Sequence, residues 1–228
     1  MPTNFLQLMQ LHDSAFPIGS YTQSFGMETY IQAGVLYNEE TLKQFCLSYL
    51  HGNLVGGDGL IVKEVHRAAL ENDYELLEEA GVLCHALKIP KESREGSIWM
   101  GKQFLKTISA MDELGPGPSI NLDLSSRNMY FHYPVVYGMY TALSKMELSA
   151  ALTAFLYSSV SGMVHNAVRA VPLGQTSGVK TIYQLLPECE KAAKRIDERT
   201  LSDAGSSTAG LELASMKHEH LRVRLFIS

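Results

Sequence analysis

From Leu148 to Val168 the chain carries no Asp, Glu, Lys or Arg. A run of that length either crosses a bilayer or forms the central helix of a large fold. It contains Ser149, Ser158, Ser159, Ser161, His165 and Asn166, and Arg169 follows at once. So many polar groups suit packing against other helices better than contact with lipid. The run is therefore expected to be a central helix buried on all sides, and no membrane partner is expected.

The remaining periodicity supplies partners for such a helix. Leu42, Phe45, Cys46, Tyr49 and Leu50 fall at i, i+3, i+4, i+7 and i+8, one apolar face. Asn38 precedes them as an N-cap, and Glu39 and Glu40 suit the positive end of a helix. Leu76, Leu77, Ala80, Leu83, Cys84 and Leu87 repeat the pattern and stop before Pro90. Ile98, Gly101, Phe104 or Leu105, Ile108 and Met111 form another face. Pro134 opens a helix at its first position, continued by Val136, Met139, Tyr140, Leu143 and Met146. The uncharged helix stops before Pro172, and a last core helix starts near Val179, with Pro187 kinking or ending it.

No stretch alternates polar and apolar residues with hairpin turns at its ends. The prediction is an all-α, single-domain bundle of roughly eight to ten helices. The helical domain is expected over 1–200. Residues 201–228 are expected as a flexible linker, rich in Ser, Gly and Ala to Gly210, and a C-terminal tail. The tail is helix-compatible, and two readings stand: a segment that folds on a partner, or a docked C-terminal helix.

Hydrophobic residues at 46% provide for a full-sized core. A formal net charge of -5 without a basic stripe argues against nucleic-acid binding and a DNA-binding regulator. Cys46, Cys84 and Cys189 are far apart and odd in number, with no C-x-x-C. That favours a reduced, cytoplasmic setting and inert core thiols. The first residues lack the pattern of a secretory signal.

Chemical motifs mostly fail on spacing. Gly174 to Thr181 resembles a phosphate loop, but Val179 separates Gly178 from Lys180. His218-Glu219-His220 places its histidines two apart, on different sides of a helix. No nucleophile elbow occurs. The most specified segment outside the helices is 13–28, with Pro17, Gly19, Tyr21 and Gly26 between two apolar patterns. A defined backbone without catalytic groups points to a surface built for recognition. Its counterpart is the basic and aromatic tail around Arg222, Arg224, Leu225 and Phe226.

Four segments together resemble the urease accessory protein F family. They are Asp13 to Glu28, Ser93-Arg94-Glu95 with Gly101 and Leu105, Val168 to Gln175 with Gly178, and Met216-Lys-His-Glu219 through Arg224 to Ser228. Gln23 stands where the family often has histidine, and Arg222 where it often has tyrosine. The resemblance implies an all-α, non-catalytic adaptor in urease maturation. It would join accessory protein D (also called H) and the GTPase G, so that nickel reaches apo-urease. Nickel and GTP would belong to the partners, with no cofactor here, and the core would be a homodimer. The expected partner-binding residues are Pro17, Gly19, Tyr21, Gln23, Ser24, Glu28, Lys217, His218, Glu219, Arg222 and Arg224. The rival reading is a GTPase activator supplying Arg94, Arg169 or Arg224.

Overall fold

The computed structural model describes residues 2–112, 129–205 and 207–228. All of its regular elements among those residues are helical. Helix α1 (Pro2–Leu11) leads through a loop and a short 3-10 turn (Ser20–Thr22) into α2 (Met27–Gln32) and α3 (Glu39–Ser48). A π-helical segment (Tyr49–Asp58) then joins α4 (Gly59–Glu71). Helices α5 (Tyr74–Leu87), α6 (Lys91–Asp112), α7 (Tyr133–Leu143), α8 (Leu148–Ala170) and α9 (Gln175–Asp197) complete the bundle. A 3-10 turn (Leu201–Asp203) and α10 (Ala209–His218) lead to the tail. The sequence also breaks its helical pattern at Gly115-Pro-Gly-Pro118, and that stretch lies outside the described residues.

The local rules act where the sequence placed them. The Asn38 side chain accepts from the Thr41 amide, and Thr41 Oγ1 accepts from the Asn38 amide, closing a reciprocal cap on α3. Pro134 stands in the first turn of α7, where a missing N–H costs nothing. Helix α9, however, runs through Pro187 to Asp197. Proline removes the donor that would meet the Tyr183 carbonyl. Tyr183 is among the most exposed apolar residues, so water can serve that carbonyl instead.

Helix α4 packs along α7, and α8 along α9. The core between them holds Leu42, Leu50, Leu60, Phe104, Tyr137, Tyr140, Leu156, Val164 and Ile196. Rings of Phe16, Tyr133, Tyr137 and Tyr140 surround Phe104 at 5.4 to 6.0 Å between centroids. The buried Tyr137 hydroxyl donates to the Ala151 carbonyl at 2.8 Å and meets His12 Nε2 at 2.8 Å. A second cluster of Ile61, Val65, Leu77, Cys84, Val135 and Met139 fills the α4–α5–α7 side. The three cysteines are free and buried, and burial pushes the Cys189 and Cys46 thiols up to about 11 and about 12.

Two features depart from the sequence reading. Helix α4 lies in the middle of the bundle but sits behind the glycine-rich 52–59 stretch, which obscured its periodicity. It carries a buried Lys63, whose Nζ donates to the carbonyls of Ile196 (3.3 Å), Asp197 (3.0 Å) and Arg199 at the end of α9. A cation there adds a donor at the carbonyl end of the helix, where Ile196 also accepts from the Arg199 amide, and it suits the negative end of the dipole. Second, α8 is central but not buried on all sides. Tyr157 and His165 are exposed, beside Phe5 and Met9 of α1. A groove of about 910 Å³ runs between α1, the following loop and this face. No helix among the described residues is long and apolar enough to cross a membrane.

Candidate functional site

The loop after α1 is held by its own backbone. Asp13 Oδ1 accepts from the Ala15 amide, Phe16 N–H donates to the Asp13 carbonyl, and Thr22 Oγ1 donates to the Gly19 carbonyl. Gly19 has φ +77°, a left-handed conformation that side chains resist. A methyl group there would lie 1.9 Å from Cζ3 of Trp99, so the indole rests directly on the glycine. Phe25 and Gly26 are a second left-handed pair, φ +48° and +88°. Phe25 is held in it by stacking on Tyr49 at 6.4 Å. Arg169, at the end of α8, donates to the Tyr21 carbonyl at 2.8 Å, and Asn166 donates to the Gln23 carbonyl at 2.8 Å. The result turns the Tyr21 ring outward, with 63% of it accessible.

The tail lies against this loop. Ile227 N–H donates to the Thr22 carbonyl at 2.8 Å, Ser24 N–H to the Ser228 carbonyl, and the Ser228 hydroxyl to Gln23 Oε1. Phe226 is buried, with Arg169 Cζ 5.6 Å above its ring. One guanidinium therefore touches both loop and tail.

A buried ionic network fastens the tail. His218 Nε2 is 3.0 Å from Glu28 Oε2, and its Nδ1 is 2.7 Å from Glu92 Oε2. Arg224 donates to Glu92 Oε1 at 2.7 Å. Glu28 also accepts from the amides of Leu225 (2.8 Å) and Phe226 (3.1 Å). Burial alone would raise the Glu28 carboxyl. The two amides and His218 outweigh it and hold the group below its ordinary value. Gln32, one turn later, donates to the Val223 carbonyl at 2.7 Å.

The expected site residues thus divide. Gly19, Gln23, Ser24, Glu28 and His218 are buried and hold loop and tail together. Pro17, Tyr21, Lys217, Glu219, Arg222 and Arg224 are exposed. Of the two readings of the tail, the structure has the docked one, because the buried Glu28 of α2 and the half-buried Glu92 of α6 supply it with partners. The stretch from 201 is a capped 3-10 turn followed by α10. Sequence reasoning missed Glu92 and Trp99. With Arg224, Phe226 and Ile227 they line a groove of about 810 Å³ between α6 and the tail. Trp99 is the only tryptophan of the chain and is 44% exposed, which is the one signal that marked it.

The lookalike motifs become structural. Gly174 is the N-cap of α9. His220 is exposed while His218 is inside, so the two do not face one another. The arginines considered for a finger each serve this chain. Arg94 donates to the carbonyls of Lys88 and Ile89, Arg169 to Tyr21, and Arg224 to Glu92.

The sequence profile of the UreF family matches residues 36–186. A urease accessory protein UreF of Sporosarcina pasteurii is 45% identical over 202 residues, 89% of this chain and 100% of that one. The UreF proteins of Bacillus sp. (strain TB-90) and Lachnoclostridium phytofermentans are 33% and 32% identical, covering 98% and 100% of this chain and the same shares of theirs. The match runs from α3 into the first half of α9, and the relatives matched over nearly their full length extend it over the loop and tail. The chain therefore belongs to the UreF family of urease accessory proteins, all-α factors that take part in urease maturation.

Proposed function

We propose that this protein is a non-catalytic adaptor whose recognition surface is formed jointly by the Tyr21 loop and the C-terminal tail. The surface joins accessory protein D (H) and the GTPase G, and the assembly delivers nickel to apo-urease. Metal and nucleotide reside on the partners. The observation that carries this reading is the fusion of loop and tail through Arg169, which donates to the Tyr21 carbonyl and covers the Phe226 ring. Around that joint Tyr21, Trp99, Leu225 and Ile227 stay open to solvent, interleaved with Arg222 and Arg224. Aromatic and apolar anchors with an arginine rim are the composition of a protein interface.

The groove between α1 and α8, lined mostly by apolar and neutral residues with Asp13 and Arg169 among them, is a separate surface, and we assign it to a second copy of the chain. Phe5, Met9 and Tyr157 expose apolar area there, and neither helix carries a charge before Arg169. A largely apolar face with one acid and one base is one on which two identical copies can meet without net like-charge repulsion.

The test is binding of Tyr21→Ala and Arg224→Ala to the D/H and G partners. Each variant is expected to lose at least about tenfold in affinity for one of them, as interface anchors do. Unchanged affinity of both variants for both partners would overturn the assignment.

A further inference from the structure

Several hydroxyls inside these helices turn back onto their own backbone. Thr107, Thr141, Ser159 and Thr181 each donate to the carbonyl four residues earlier, at 2.8 to 2.9 Å. Ser97 of α6 does not. Its Oγ is buried and has no hydrogen-bond partner among the described residues. The same is true of the Tyr133 hydroxyl at the start of α7. Phe104, Phe155 and Tyr137 hold the Tyr133 ring at 5.4, 5.7 and 5.8 Å between centroids, so packing fixes where its hydroxyl lies. Burial pushes the phenol up, so it stays protonated and both donates and accepts. A buried hydroxyl that folding strips of every partner costs about five- to a hundredfold in the folding equilibrium.

These two hydroxyl residues line one cavity. Ser20 and Gln23 of the loop, Asp58 of the π-helical segment and Asn166 of α8 line it with them. Asn166 is already engaged with the Ser20 and Gln23 carbonyls, at 3.4 and 2.8 Å. Asp58, the charged residue of the lining, is matched by Lys88 at 2.6 Å. A cation therefore finds no charge to neutralise there, and an anion would meet the carboxylate. The lining fits a neutral molecule that donates and accepts at once. About 50 Å³ is open to the centres of water molecules, room for roughly three to five of them.

We propose that this cavity is a hydration site, in which a cluster of ordered water molecules bonds Ser97 Oγ and the Tyr133 hydroxyl and completes the support of the recognition loop. Ser20 and Gln23 form its loop side, so the water lies between the loop and helices α6 and α7. Gln23 is also the residue that accepts from the Ser228 hydroxyl. The cluster thus borders the joint of loop and tail. Its purpose rests on the proposed recognition surface, though its chemistry does not.

Two substitutions read the site by the sign of their effect. Tyr133→Phe and Ser97→Ala each delete one hydroxyl and keep the apolar packing around it. In a dry cavity, each deletion removes an unsatisfied group and raises the folding equilibrium constant. In a hydrated one, it removes an anchor and leaves a water short of a partner. The expected result in urea unfolding of the full chain is a loss of at least about fivefold for each variant. The double variant should lose less than the product of the two, because both hydroxyls bond the same waters. Oxygen-17 relaxation dispersion of the solvent, which counts water held inside the folded chain, should fall in both variants. Unchanged or raised stability in Tyr133→Phe would overturn the proposal. So would lowered stability with an undiminished water signal, since the lost partner would then be the protein itself. Should Tyr133→Phe not fold, Ser97→Ala decides by the same two readings. Failure of Tyr21→Ala to weaken partner binding would remove the recognition surface but leave these waters in place.

Discussion

Replacing Gly19 by alanine tests whether the indole of Trp99 fixes the shape of the loop. The added methyl would fall 1.9 Å from Cζ3, 2.3 Å from Cη2 and 3.2 Å from Cε3 of Trp99, so the ring must leave. The backbone at φ +77° adds about 1 kcal/mol of strain for any side chain. Trp99 is 44% exposed, so it has somewhere to go, at the cost of its buried half. About 100 Å² of apolar surface returned to water is worth ~2.5 kcal/mol. The sum is ~2–4 kcal/mol, less whatever the freed ring recovers elsewhere. Urea unfolding followed at the only tryptophan reads both consequences: an earlier midpoint, and a red-shifted native emission before unfolding begins. Gly162→Ala is the control. Nothing lies within 4 Å of its added methyl, and it stands inside α8, so it should be neutral or gain ~0.5–1 kcal/mol. A Gly19→Ala midpoint within ~0.5 kcal/mol of the parent, with native emission unchanged, would refute the reasoning, because that is the range of substitutions at featureless surface positions.

Lys63→Met keeps the stem but removes the donor shared by the carbonyls of Ile196, Asp197 and Arg199, of which Ile196 still accepts from the Arg199 amide, and should cost ~2 kcal/mol in chemical unfolding. Burial pushes His12 and His132 down, to about 4 and about 3, so both are neutral in the fold. Their contribution is complete above the ordinary histidine value near 6.5 and is lost as pH falls towards those lower values. The slope of stability against pH on the acid side should therefore flatten in His132→Gln, measured by urea midpoints. Pro187→Ala restores a donor for the Tyr183 carbonyl within α9 and should raise the thermal midpoint, by an amount equivalent to ~1 kcal/mol or more.

The helices were legible wherever apolar spacing and caps agreed, as at Asn38 and Pro134. Helix α4 was not, because Gly52, Gly56, Gly57 and Gly59 disguise a boundary that the backbone turns at Gly57. The uncharged run announced a central helix but concealed that one of its faces stays open. That depends on which neighbours reach it, and no local pattern encodes this. The site was legible as two segments, since unusual backbone chemistry shows itself locally. Their joining was not. Glu28, Glu92 and His218 look like ordinary helix-surface residues when read singly. Their pairing spans separations of 126 and 190 residues, which only the folded chain brings together.

Those separations bear on the order of events during synthesis. At about 5–20 residues per second, roughly ten seconds or more pass between the emergence of Glu28 and that of the Leu225 amide it accepts, 197 residues later. Late in that interval, once α7, α8 and α9 have emerged, the bundle core can close around α4, but Gln23 and Glu28 still lack their counterparts in the tail. Closing so long a loop is also the slowest kind of contact to form. The recognition surface is consequently the last part of the molecule to mature. A nascent or prematurely ended chain would carry the scaffold without it.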